Sequence, residues 1–218
     1  QGAVAAEEQF FPIPGYRVGP YGANGQSFYG GFIDYLTYVN LKEKGVKATF
    51  FDVGEECLSF PDAEKRMLEE GHQVASHSNT HPDMPTLSRD ALRAEIIAGF
   101  SNMKKASGHV TKVLRAPYGA FGKKQWQETS DLIDMNVLWD IDTLDWKRPG
   151  AKAIHDAVMT GAHNGAIVLM HDGGGDRSQD VEALPGIIDD LKKQGYEFVT
   201  IEQLIKMAGD AGDTGGRG

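Results

Sequence analysis

The chain has 218 residues, 40% of them hydrophobic and 24% charged, the composition of a folded globule long enough for one well-cored domain. A formal net charge of −9 and the lack of any basic run exclude a nucleic-acid backbone as partner. No apolar run approaches the roughly eighteen residues of a membrane span, and the single cysteine, Cys57, excludes an internal disulfide and a cysteine-based zinc site.

Residues 1–31 read as an irregular segment. No signal peptide is read at their start, and Gln1 is compatible with a processed or truncated end. Phe10 to Pro14 is extended, because two prolines exclude a helix there, and Tyr16 to Gly31 is a glycine-rich loop. A helix is expected from Phe32, with Ile33, Leu36 and Val39 on one face, closed at Gly45. Val46 to Val53 is an apolar, β-branched strand, Ala63 to Glu70 a helix, and Gly71 to Ala75 a second strand. Thr86 or Ser88 caps a long helix reaching Lys105, with Leu92, Ile96, Phe100 and Met103 inward. Strands follow at Val110–Leu114, Val137–Ile141, Ala166–Met170 and Phe198–Thr200. Helices lie between and after them at Lys124–Met135, Ala151–Ala162, Val181–Gln194 and Ile201–Met207. Strand–helix alternation without a break predicts one α/β domain with a parallel sheet over residues 32–208, and a flexible tail over 209–218.

Polar clusters sit just after the strands. His77 and His81 are four residues apart; on a helical turn both rings would leave the backbone on one side and meet one ion. Arg115, the Asp142/Asp145 pair and His171 each follow a strand, and in a parallel barrel those points share one face. Blander readings exist for each: surface histidines, structural ion pairs Asp145–Arg115 and Asp142–Arg148, and a core role for Trp146.

The ordered set His77-Ser78-Asn79-Thr80-His81-Pro82, Arg115-Ala116-Pro117-Tyr118, Asp142-Thr143-Leu144-Asp145-Trp146 and Leu169-Met170-His171 resembles the motifs of polysaccharide deacetylases, the NodB-like carbohydrate esterases of family 4. Lys47-Ala48-Thr49-Phe50-Phe51 before Gly54 is also similar, and the likeness spans about Leu41 to Leu204. It implies a distorted (β/α) barrel of the NodB type and a hydrolase acting on N- or O-acetyl groups of a carbohydrate. It further implies a divalent metal on His77 and His81, zinc first, with cobalt, nickel or manganese as alternatives. His171 would be the general acid, Asp145 would keep it cationic, and Arg115 would hold the base carboxylate ionised. Tyr118 would offer its backbone amide to the oxyanion, Leu169 would line the acetyl pocket, and Trp146 would pack by the acid pair or meet the sugar. Acetylated glycan is the implied partner: an N-acetylglucosamine polymer such as chitin oligomers or peptidoglycan, or else acetylxylan. A monomer placed outside the cell or at its wall is expected.

One motif departs from the pattern. The family's opening Thr-Phe-Asp-Asp-Gly supplies the base and the third metal ligand, and no Asp-Asp pair precedes the Lys-Ala-Thr-Phe-Phe strand. Gly22-Ala23-Asn24-Gly25 stands at the expected place, which puts Asn24 at the metal position and Ala23 at the base position. Asp52 is an alternative base if its strand aims it inward. Three functions are therefore open: an active deacetylase with an unusual base, an impaired one that binds glycans, or a structural domain with a vestigial cleft.

Overall fold

A computed structural model describes the backbone of residues 9–10, 14–17, 44–173 and 175–214, and the side chains of residues 44–173 and 175–209. The elements, in order, are β1 (Gln9–Phe10), β2 (Pro14–Arg17), β3 (Thr49–Asp52), α1 (Gly54–Ser59), α2 (Pro61–Glu69), β4 (Gln73–Ser76), α3 (Arg89–Ser107) and β5 (Val113–Leu114). They continue with α4 (Lys123–Thr129), β6 (Met135–Asn136), β7 (Ile141–Asp142), α5 (Ala151–Gly161), β8 (Val168–Leu169), α6 (Ser178–Lys193), β9 (Tyr196–Glu197) and α7 (Ile201–Thr214). Every described ladder is parallel: β2-β3-β4-β5-β6 in sequence order, with β7–β8 and β1–β9 as separate pairs. The α/β class with a parallel sheet holds.

Strand alternation divides the sheet into two faces. Phe51, Ala75 and Val113 point to one side and pack with Val137 and Ile201. Phe50 and Val74 point to the other, onto Cys57 and Met67 of α1 and α2, while Leu114 meets Leu92 and Ile96 of α3. The first turn of α7 closes one end of the inner side. Its Ile201 N–H donates to Thr49 Oγ1 (2.9 Å) and its Glu202 N–H to Gln73 Oε1 (3.0 Å), which satisfies two helix-start donors on strand side chains. The opposite, C-terminal end of the strands carries the polar clusters.

Several boundaries differ from expectation for physical reasons. The helix expected over 124–135 stops at Thr129, where Leu132 and Ile133 N–H groups both turn back to the Thr129 carbonyl and bury Ile133. Asp134 N–H then bonds Lys112 O, so Met135–Asn136, not Val137–Ile141, is the strand beside β5. β9 lies at Tyr196–Glu197, ahead of the expected Phe198–Thr200, and α7 runs on to Thr214, past the expected tail boundary. Within the segment read as irregular, β1 and β2 are strands, and β2 pairs with β3. The expected helix from Phe32 and the Gly22–Gly25 stretch lie outside the described residues. Ser88 is the cap of α3, its Oγ accepting from Ala91 N–H at 3.3 Å.

Candidate active site

The histidine pair is mounted on a loop rather than a helical turn. His77 N–H extends the ladder to Asp52 O (2.8 Å), after which Ser78 and His81 take left-handed φ values of 70° and 62°. That conformation is costly for side chains with a Cβ, and the surroundings hold it in place. Ser78 and Asn79 carbonyls accept from Gly54 and Glu55 N–H at 2.9 and 3.1 Å, so the start of α1 finds its partners in this loop. Glu95 of α3 accepts from Asn79 N–H (2.8 Å) and Thr80 N–H (2.5 Å), and Ser78 Oγ accepts from His81 N–H (2.9 Å).

Gly99 lets α3 lie against this loop: a Cβ there would come within 2.9 Å of the Ser78 carbonyl carbon and oxygen. Both contacts are backbone, so neither can swing aside. Gly99→Ala is therefore expected to destabilise the fold by about 1–3 kcal/mol, the usual cost of overpacking. Thermal denaturation of the variant checks this.

The two rings stand edge to face, centroids 4.8 Å apart, and the His81 ring meets Tyr118 at 4.7 Å. His77 Nδ1 lies 2.6 Å from Arg115 O; a carbonyl only accepts, so Nδ1 carries the proton and Nε2 the lone pair. Burial, with the charge of His81 next, holds the His77 pKa well below the usual histidine range, against the raising effect of the Arg115 carbonyl. Burial likewise lowers His81, to about 4. Both imidazoles are neutral at physiological pH, the form in which they ligate metal. The pair fits two positions of a divalent-ion site. Among the described residues no cluster of three His, Cys, Asp or Glu completes it, and Asn24 lies outside them.

Across the cleft, His171 Nδ1–H donates to Asp145 Oδ1 at 2.7 Å and His171 N–H to Asp145 Oδ2 at 2.6 Å. Trp146 N–H adds a third donor to Asp145 Oδ1 at 2.9 Å. Asp145 is 1% exposed. Burial pushes its carboxyl up, but the bond from His171 and the His171 charge outweigh it and hold the group below the ordinary carboxylate value. The charge of His171 acts on both His77 and His81, which places it near the two imidazoles. Leu144 and Arg148, on either side of Asp145–Lys147, also have left-handed φ, as does Tyr118.

Arg115 is buried, with Nε and Nη2 donating to Val137 O (3.0 Å) and Leu138 O (3.1 Å) and its guanidinium 4.1 Å from the Phe51 ring centroid. Among the described residues no carboxylate pairs with it, and burial lowers its pKa to about 9. Asp52 does not take that role. It follows Phe51 on β3 and shares the register row of Ser76 and Leu114, so it faces α3 while Phe51 and Arg115 face inward.

The blander ion pairs are not formed. Arg148 pairs with Asp176 (2.6 Å), and Asp142 accepts from Leu144 N–H (2.9 Å) as a turn former. Trp146 is 52% exposed under Lys147, which removes a core role, and Tyr118 is exposed as well, its ring against His81. Leu169 is buried on β8, its carbonyl accepting from Thr143 Oγ1 (2.8 Å). Two residues with a part in the site escaped the sequence reading. Trp139, 5.6 Å from Arg115, was hidden in an expected strand; Glu95 sits on a helix whose polar positions look like an ordinary solvent face.

A family model for polysaccharide deacetylase matches residues 35–133. A peptidoglycan-N-acetylglucosamine deacetylase of Bacillus cereus is 35% identical over 168 residues, covering 76% of this chain and 78% of the relative. The chain belongs to the polysaccharide deacetylase family. A second Bacillus cereus deacetylase of that description is 35% identical over 167 residues, and a Listeria monocytogenes one 40% identical over 164. They match over 76% and 75% of this chain, which spans only 61% and 34% of their lengths. Among solved structures, a peptidoglycan N-acetylglucosamine deacetylase superposes with a TM-score of 0.79 at 30% identity, covering 90% of this chain and 88% of the other. A CE4 family pseudoenzyme from Bacillus anthracis superposes with a TM-score of 0.78 at 28% identity, covering 90% and 65%. A mutant of that pseudoenzyme with restored enzymatic activity gives 0.79 at 29%, covering 90% and 67%.

Proposed function

We propose that this member of the polysaccharide deacetylase family hydrolyses acetyl groups from an N-acetylglucosamine polymer, peptidoglycan or chitin oligomers ahead of acetylxylan, using a divalent metal. The observation that carries this reading is the neutral His77–His81 pair together with a His171 that is held by Asp145 and whose charge acts on both imidazoles. A divalent ion held by His77 and His81, with Asn24 as third protein ligand and zinc as first choice, would supply the Lewis acidity that polarises the acetyl carbonyl and activates water. His171 exchanges its proton at Nε2, because Nδ1 is committed to Asp145, and protonates the departing sugar nitrogen or oxygen. Asp145 fixes that tautomer and compensates the imidazolium charge. The Tyr118 amide is proposed to meet the developing oxyanion, Leu169 to receive the acetyl methyl, and Trp146 to contact a sugar face from the rim. The reading includes action as a monomer outside the cell or at its wall.

A second reading, a deacetylase-fold protein that binds acetylated glycan and hydrolyses it poorly, is favoured by one observation: Arg115 has no carboxylate beside it among the described residues. Zinc content and acetate release separate these possibilities. The primary reading expects one zinc per chain by elemental analysis, its loss in His77→Ala, and acetate set free from chitin oligomers. Chitin binding with no acetate supports the second reading, and no metal uptake after soaking in zinc defeats the first.

A further inference from the structure

Two peptide groups between His77 and His81 are gripped at both ends. The Ser78–Asn79 peptide gives its carbonyl to Gly54 N–H (2.9 Å) and its N–H to Glu95 Oε1 (2.8 Å). The Asn79–Thr80 peptide repeats the pattern, its carbonyl on Glu55 N–H (3.1 Å) and its N–H on the same Glu95 oxygen (2.5 Å). Thr80 Oγ1 donates to that oxygen as well, at 3.0 Å. On the α1 side the grip is made by backbone. On the α3 side a single carboxylate oxygen takes both peptides, and Asn102 of the same helix holds the Asn79 side chain (2.8 Å) rather than a peptide group.

An anion suits this place. Successive backbone N–H groups in a turn form a concavity that binds negative charge, and bonds to an ionised acceptor are roughly twice as strong as neutral ones. Left-handed Ser78 precedes the two N–H groups and left-handed His81 follows them, a backbone that persists only where its surroundings hold it. Glu95 supplies the anion from a helix seated by buried Leu92 and Ile96, and Gly99 lets that helix lie against Ser78. The two histidines depend on this clamp unequally. His77 is held by the ladder to Asp52 O and by Nδ1 on Arg115 O, whereas His81 stands beyond the gripped peptides.

We propose that Glu95 is a positioning residue for the histidine pair: by closing on the Asn79 and Thr80 N–H groups it sets where the His81 ring stands against His77, and so the affinity of the pair for a divalent ion. The affinity rests on the reading of the pair as a metal site; the placement of the ring does not.

The test is amide and imidazole NMR on the full chain without metal, followed by zinc titration calorimetry. Glu95→Ala should displace the Asn79 and Thr80 amide protons and the His81 ring resonances, while the His77 Nδ1 proton stays protected on Arg115 O. Glu95→Gln, whose Oε1 still accepts, should keep the His81 resonances in place. Arg93→Ala is the control. It removes bonds to both Asp131 oxygens and to Glu128 O from the same helix, and should lower the melting temperature without touching His81. Glu95→Ala should bind zinc about 10–100-fold more weakly, the range typical when a group that orients metal ligands is lost. Glu95→Gln should recover most of that loss, and Arg93→Ala should bind as the wild type does. His81 resonances that ignore Glu95→Ala overturn the proposal. So does an equal displacement in Arg93→Ala, or wild-type zinc affinity in Glu95→Ala. If Glu95→Ala does not fold, Glu95→Asp takes its place: its carboxylate is one methylene short of the loop, and unmoved His81 resonances there overturn the proposal equally. A wild type that takes up no zinc defeats the metal reading, and the metal-free resonances then decide whether Glu95 places His81.

Discussion

Ala23→Asp should raise acetate release from chitin oligomers by about 10²–10⁴-fold, the contribution that general-base assistance typically makes. The expectation joins two facts. By resemblance, Ala23 stands where the family places its base aspartate, four residues after Val18-Gly19 and one before Asn24. In the structure, Arg115 keeps a guanidinium buried at the inner face, its pKa lowered to about 9 by burial, with no carboxylate beside it among the described residues. A buried cation gains most from an adjacent anion, so the new carboxylate would be held ionised without further change. Asn24→Asp added to it should tighten zinc, because an anionic ligand compensates the charge of the ion. Acetate release by the single and double variants, alongside zinc titration, measures both effects. A wild-type chain as fast as its double variant would sink the placement of Ala23, as would a folded, zinc-binding Ala23→Asp chain with no gain.

His171→Ala should lower turnover by about 10²–10⁴-fold while leaving zinc binding intact. His171 donates through Nδ1 to Asp145 and is separate from the His77–His81 loop, so its removal leaves the metal pair on its mount. The discriminating measurement is the leaving group. An amide or sugar hydroxyl needs a proton to depart, whereas the nitrophenolate of an activated acetate ester does not. The deficit of His171→Ala should therefore shrink on the activated ester. An equal deficit on both substrates would assign His171 to some step other than leaving-group protonation.

The positions of both histidine clusters were legible because each follows an apolar strand that can be read from its residues: Val74 and Ala75 before His77, Val168 and Leu169 before His171. What joins them was not. The loop from Ser78 to His81 is held in left-handed backbone by α1, α3 and a close glycine, all tertiary contacts, and a four-residue spacing alone suggests a helical turn instead. The inward or outward aim of Asp52 depended on register, which a run of four buried residues with no polar alternation leaves undetermined. The end of α4 was missed because Thr129 turns the chain with its own carbonyl, without a glycine or proline to mark the stop.

The cleft divides sharply by exposure: His77, Arg115 and Asp145 are at most 5% exposed, whereas Tyr118 and Trp146 on the rim are 68% and 52% exposed. Substitutions on such a rim ordinarily change stability by less than about 0.5 kcal/mol, whereas those at the buried positions touch hydrogen-bonded networks. On the proposed function, the acetyl chemistry and any contact of Trp146 with glycan thus fall under separate constraints. A lineage, or a directed-evolution library, can trade one polymer for another by exchanging that aromatic without reopening the machinery beneath. Selection for a new substrate should accordingly return its first winners at Trp146 with wild-type melting temperatures, whereas Tyr118, whose ring lies against His81, is coupled to the buried pair.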